Sequence, residues 1–226
     1  MAWNDGLQGQ ALLIAATKNS PLCVVAGPGT GKTFALMRRL ARLFTTESIR
    51  DKDSFKPHVI AALKGIAAID DQTAKGGQSA EDRFLRSFPF HPDLTEVLYE
   101  KWTQLAGFQR TRGLLRTFAL ALREAEQWDE SPLVGPAVFL NAPDADGLSE
   151  AAREFVTVAD TEEHEGRKQA WTGIIDGEFG RARQIEADSV GLKFREIEQA
   201  VMATFLHSQP VGQSAKRRDL EVLLGA

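Results

Sequence analysis

Residues 21–44 read PLCVVAGPGTGKTFALMRRLARLF, Pro21 to Phe44, and the fold turns on this stretch. Leu22–Ala26 is short, wholly apolar and rich in β-branched side chains, as expected of a strand buried on both faces. Gly27-Pro28-Gly29-Thr30-Gly31 carries too many glycines for regular structure. Lys32–Thr45 then places Phe34, Met37, Leu40, Ala41 and Phe44 on one helical face and arginines on the other. The heptapeptide Gly27–Thr33 ends in the Gly-Lys-Thr of the motif G-x-x-x-x-G-K-[ST], whose first position falls on Ala26, and reads as a phosphate-cradling loop between strand and helix. Gly29 and Gly31 give backbone N–H groups room to wrap a phosphate. Lys32 supplies a charge at the β/γ-phosphates, the Thr33 hydroxyl is a Mg²⁺ ligand, and the helix N-terminus favours the anion. The expected cofactors are therefore ATP and Mg²⁺.

Working outward, 226 residues with 43% apolar and 26% charged side chains suffice for one domain with a core. That composition excludes intrinsic disorder as the main state. No run of eighteen apolar residues predicts a membrane span, and the N-terminus lacks the pattern of a secretory signal. The single Cys23 cannot form an internal disulfide, and a cytoplasmic location is expected. The four histidines (His58, His91, His164, His207) lack metal-ligand spacing, so His91 reads as a turn or cap residue and His207 as packed. Net charge is −4, but residues 1–50 carry +4 and the remainder −8. A basic head thus precedes an acidic body.

The expected organisation is a nucleotide-binding segment over 1–46, a polar linker over 47–57 and a helical region over 58–226. Helices are expected over Val59–Ile69, Ala80–Phe88, Asp93–Ala106, Thr111–Trp128, Leu148–Ala159 and Glu162–Ala187, the last interrupted by Gly173, Gly177 and Gly180. Glu162, Glu163, His164 and Glu165 would form a solvated helix face. Short strands are candidates at Ala137–Leu140 and near 199–206. Arg195–His207 reads as a buried helix or strand, and Glu221–Leu224 begins another element. The fold class is α-dominated α/β: a minimal helix–strand–loop–helix nucleus followed by mainly helical structure.

Residues 1–45, on the strength of Pro21–Phe44, resemble the N-terminal ATP-binding segment of UvrD-like superfamily 1 DNA helicases. The resemblance implies a glutamine upstream that reads the adenine edge, and Gln10 fits that spacing best, with Gln8 second. The D-E-x-Q motif and second motor domain of those enzymes are not found, so strand unwinding by this chain alone is not expected. The chain reads as a partial or truncated module. A carboxylate to hold Mg²⁺ is usual at the end of a second strand. The sole run of that form, Ile66-Ala-Ala-Ile-Asp-Asp71, offers Asp70, although its spacing favours a helix C-terminus.

From Phe84 onward the chain resembles a different family. Phe88-Pro-Phe-His-Pro-Asp-Leu94, Trp102 and Gly107-Phe-Gln-Arg-Thr-Arg-Gly-Leu-Leu-Arg116 look like part of the helical lid of large AAA+-type ATPases linked to anti-phage defence. That resemblance implies that Gly113-Leu-Leu-Arg116 opens a long helix, with Arg116 reaching the γ-phosphate; a surface arginine is the plainer alternative. Under that resemblance Arg110 and Arg112 would act on a neighbouring subunit's nucleotide; a solvated loop is the plainer alternative. The function expected is ATP binding in a DNA-related, defence-associated ATPase. Its partners would be DNA through a larger complex, further copies of the chain or a partner ATPase subunit. The alternative is a non-enzymatic helical interaction module with a vestigial phosphate loop.

Overall fold

The computed structural model describes residues 8–16, 52–108, 111–129, 131, 133–145, 147–164 and 167–225. The phosphate loop Gly27–Thr33, its expected strand and its expected helix lie outside the described residues. The chain divides into two compact units, Met1–Phe55 and Lys56–Ala226. In the first, helix α1 covers Gly9–Ala16.

The remaining helices are α2 (Lys52–Ala67), α3 (Asp71–Ser87), α4 (Pro92–Glu100), α5 (Thr111–Ala125), α6 (Glu150–Thr161), α7 (Trp171–Asp188), α8 (Glu196–His207) and α9 (Arg217–Leu224). Helix α2 begins inside the segment read as linker and contains Pro57. Its buried residues, Val59, Ala62 and Ile66, recur at helical spacing. They form a small cluster with Phe84, Leu133 and Val222. In α3, Gly77 at φ 48° breaks the helical path, and Phe84 alone is buried.

Helix α4 shows how local chemistry fixes an element. Pro92 occupies its first turn, where a missing N–H costs nothing. His91 is the N-cap: its Nδ1 accepts from the Asp93 N–H at 3.2 Å. The cap reading of His91 therefore holds, and His207, also buried, is packed as expected. Two 3₁₀ turns, Trp102–Gln104 and Ala106–Phe108, follow α4, so the helix expected to reach Ala106 ends sooner.

Trp102 is the centre of the main core. Its ring meets Phe108, Phe155 and Phe205 edge-on, with centroids 5.7, 4.6 and 5.5 Å away. Its Nε1–H donates to the Leu206 carbonyl at 3.0 Å. Helices α6, α7 and α8 pack in sequence around this point. The Ser149 side chain starts α6, accepting from the Ala152 N–H at 2.9 Å and donating to the Phe139 carbonyl at 2.6 Å. Neighbouring helices cap the next two. Asp160 at the end of α6 accepts from the Trp171 N–H and the Thr172 hydroxyl, both at 2.6 Å. Glu186 in α7 accepts from the Ile197 and Glu198 N–H groups at 2.7 and 3.0 Å. Carboxylates placed there also complement the helix dipoles.

Several sequence expectations need correction. Ala137–Leu140 is not a strand: Pro136–Phe139 is a buried 3₁₀ turn, and just before it Val134 makes an isolated parallel bridge with Phe90. Residues 199–206 lie within α8. Glu162–Ala187 is not one helix. Glu163–His164 (β1) pairs antiparallel with Arg167–Lys168 (β2), so Glu162 to His164 leave α6 instead of lining a helix. Gly173, Gly177 and Gly180 do not interrupt α7. The described residues are thus mainly helical.

The buried His91 ties stability to pH. Burial pushes its imidazole down to about 4, against partial support from the Asp93 carboxylate. Between pH 6.5 and 4 the unfolded chain binds a proton that the folded chain refuses, so stability falls as pH falls through this window. The shift corresponds to on the order of 3 kcal/mol at the acid end. His207 is lowered by burial too and acts with the same sign. Thermal melts at pH 7.5 and 5.0 should show a loss that His91→Asn, which keeps a cap acceptor, makes smaller. An equal loss in both proteins would remove His91 as the cause.

Candidate functional site

Of the residues named from the sequence, Gly27, Pro28, Gly29, Thr30, Gly31, Lys32 and Thr33 lie outside the described residues. Gln10 belongs to α1, and Gln8 immediately precedes that helix and is exposed. Asp70, Arg112 and Arg116 belong to the second unit.

Asp70 does not end a strand. It follows α2 and is the N-cap of α3. Its Oδ2 accepts from the Thr73 N–H at 2.9 Å and the Thr73 hydroxyl at 2.7 Å. Arg218 of α9 donates through Nε and Nη2 to its two oxygens at 3.1 and 3.2 Å. The Arg218 guanidinium and the Thr73 hydroxyl hold this carboxyl well below the usual range. Asp70 is thus an ionised group whose acceptor positions serve a cap and a helix-to-helix bridge.

Arg116 sits on the solvent side of α5, 70% exposed, with Nη2 2.6 Å from the Glu154 carboxylate of α6. A polar cleft of about 250 Å³ opens there, lined by Gly107, Phe108, Arg112, Gly113, Arg116 and Glu154 among others. Gly113 has a specific reason to be glycine. A Cβ there would lie 1.6 Å from the Phe108 carbonyl oxygen. The first turn of α5 therefore rests directly on the preceding 3₁₀ turn. Arg116 extends from the helix so positioned. Arg110 is outside the described residues, and Arg112 is exposed.

Sequence reasoning missed the most buried charge cluster. Glu198 in α8 is 2% exposed. It accepts from Arg195 Nε and Nη2 at 2.6 and 2.9 Å, and from Arg183 Nε at 2.8 Å. Burial alone would raise its pKa; the hydrogen bonds from Arg195 and Arg183 outweigh burial and hold it below the ordinary value. The arginines also donate to backbone carbonyls, Arg183 to Gly147 and Arg195 to Asn141. The cluster ties Asn141 and Gly147 to the α7–α8 pair. No spacing signal reveals it, because Arg183 and Glu198 meet only through the turn between two helices. Among the described residues no group of His, Cys, Asp or Glu is arranged to hold a metal ion, and no helix is long and apolar enough to cross a membrane.

Comparison with known families matches residues 7–63 to the UvrD/REP helicase N-terminal domain. The match covers about a quarter of the chain and includes Gln8, Gln10 and the whole phosphate loop. It also continues to Leu63 in α2, beyond the segment whose resemblance was legible in the sequence. Comparisons with curated proteins and with solved structures give no match.

Proposed function

We propose that this chain is an ATP-binding module of the helicase-related kind. The observation that carries the reading is the sequence Gly27-Pro-Gly-Thr-Gly-Lys-Thr33, set between a buried-strand pattern and an amphipathic helix pattern, inside the segment similar to UvrD/REP helicases. The donor set suits Mg-ATP. Glycine N–H groups fit the phosphates, Lys32 the β/γ charge, the Thr33 hydroxyl the metal, and the amide of Gln10 the adenine edge. Bound there, ATP and Mg²⁺ would supply a hydrolysable phosphoanhydride and its counter-charge. Asp70 is assigned to capping and bridging, not to the metal, because Thr73 and Arg218 engage both of its oxygens. Arg116 is the residue of the helical unit proposed to read a phosphate, in keeping with its exposure and with the lid resemblance. A DNA-related, defence-associated setting, with DNA reached through a larger complex or with further subunits, belongs to the same proposal. Its support is the helicase similarity for DNA and the resemblance of residues from Phe84 onward for defence.

The test is a melting titration with Mg-ATP. Ligand at a hundred times Kd adds about 2.7 kcal/mol, which raises Tm by roughly 5–10 °C in a chain of this size. Lys32→Ala should abolish the rise. No shift of the wild type at millimolar Mg-ATP would sink the proposal. That result would favour the second reading, a helical interaction module with a vestigial loop. The observation behind that reading is the exposed apolar set Val190, Leu192 and Phe194.

A further inference from the structure

A cleft of about 480 Å³ lies between the end of α5 and the turn before α8, lined by Trp128, Asp129, Ser131, Pro143 and Phe194. None of these residues is among those assigned to nucleotide. Phe194 is 54% exposed, an uncommon position for an aromatic ring unless something covers it. Its centroid is 6.4 Å from that of Trp128, with the planes 45° apart, so the two rings form an open V. Asp129 stands beside Trp128 in sequence and in the cleft wall. Its Oδ1 accepts from the Ser131 hydroxyl and, at 3.1 Å, from the Ser131 N–H. Among the described residues Oδ2 has no partner.

Two aromatic faces and a carboxylate attract a cation, because the ring quadrupole presents a negative face. The Trp128 ring already carries one guanidinium, that of Arg195, 5.4 Å from its centroid. Glu198 engages that guanidinium through two hydrogen bonds and holds it in place. Asp129 and Glu126 line an adjoining cleft together with Arg123, whose guanidinium is engaged by Glu150. A planar guanidinium stacks on an aromatic face and donates to a carboxylate at once, which an ammonium does not do. Ser131 and Phe194 in its wall are exposed, so a side chain presented from outside can reach it.

We propose that this cleft takes the arginine side chain of a partner polypeptide, stacked on Trp128 and Phe194 and hydrogen-bonded to Asp129. The probe is the peptide acetyl-Gly-Arg-Gly-amide, compared with its neutral citrulline counterpart. The readout on the full chain is the Trp128 indole N–H resonance, assigned with Trp128→Phe. The arginine peptide should shift it saturably with a millimolar Kd, and the citrulline peptide should not. Asp129→Asn, which keeps the acceptor for Ser131, and Phe194→Ala should each weaken binding at least fivefold with Tm unchanged. Equal shifts by both peptides, unchanged binding to Asp129→Asn, or no shift by roughly 20 mM peptide would overturn the proposal. Free arginine amide binding as tightly as the peptide would overturn the polypeptide source. None of these outcomes depends on Lys32, so the nucleotide reading stands or falls separately.

Discussion

Trp102→Ala should be the most damaging single substitution in the helical unit. The indole is fully buried and touches three aromatic rings drawn from the 3₁₀ turn that follows, from α6 and from α8. Truncating a buried aromatic of this kind costs about 3–5 kcal/mol, and the cavity left among Phe108, Phe155 and Phe205 cannot close without moving helices. The Leu206 carbonyl also loses its donor, at roughly 1 kcal/mol more. Against a total stability of about 5–15 kcal/mol, that loss is a large fraction of the whole. The expected fall in Tm is on the order of 10–20 °C. Trp102→Phe keeps a ring and loses the indole donor, so it should fall between the alanine variant and wild type. Urea melts of the three proteins check the order. Near wild-type stability for Trp102→Ala would mean that the core is not organised around this ring.

The position of Trp102 in the core illustrates what the sequence discloses. Its burial with Leu94, Val97 and Leu98 was legible from apolar spacing, although the helix expected to carry all four ends at Glu100 and Trp102 lies in the 3₁₀ turn beyond it. Its hydrogen bond to Leu206 was not, because that contact joins residues 104 positions apart. Pro136–Phe139 shows a different limit. Four buried apolar residues in a row fit a strand, a helix or a tight turn equally well by periodicity, and Pro136 at the first position of a 3₁₀ turn decided the matter. For Glu162–Ala187 the charged stretch concealed the β1–β2 turn, while the three glycines suggested a break that packing in α7 overrides. Ile175, Phe179 and Ala182 hold that helix on its buried side despite the glycines. At Asp70 the sequence pointed correctly away from a strand. What it could not supply was Arg218, 148 residues later, which settles the side chain's structural use. The phosphate loop is the converse case: its chemistry is written entirely in seven consecutive residues, and long-range packing adds nothing needed to read it.

Gly113→Ala should be the second severe substitution, and its severity separates architecture from chemistry at the Arg116 cleft. By helix propensity alone, alanine is better than glycine by about 1 kcal/mol inside a helix. A Cβ added at Gly177 in α7 would meet nothing within 4 Å, so Gly177→Ala should stabilise by roughly 0.5–1 kcal/mol. At Gly113 the same methyl would lie 1.6 Å from the Phe108 carbonyl oxygen and 2.8 Å from its carbon. Both are backbone atoms, so no side-chain rotation relieves the clash. Either α5 shifts off the Ala106–Phe108 turn or its first turn unwinds, and a loss of about 3 kcal/mol is expected once the propensity gain is overrun. Arg116→Ala removes an exposed side chain and one surface ion pair with Glu154, which should cost less than about 1 kcal/mol. Chemical denaturation of Gly177→Ala, Gly113→Ala and Arg116→Ala should therefore give a gain, a large loss and a near-zero change. A stable Gly113→Ala would mean that α5 does not rest on Phe108, and the cleft would need another architect. If the order holds, Arg116→Ala becomes the clean probe. A weakened response to Mg-ATP in that variant, at unchanged stability, would come from lost phosphate chemistry and not from a displaced helix.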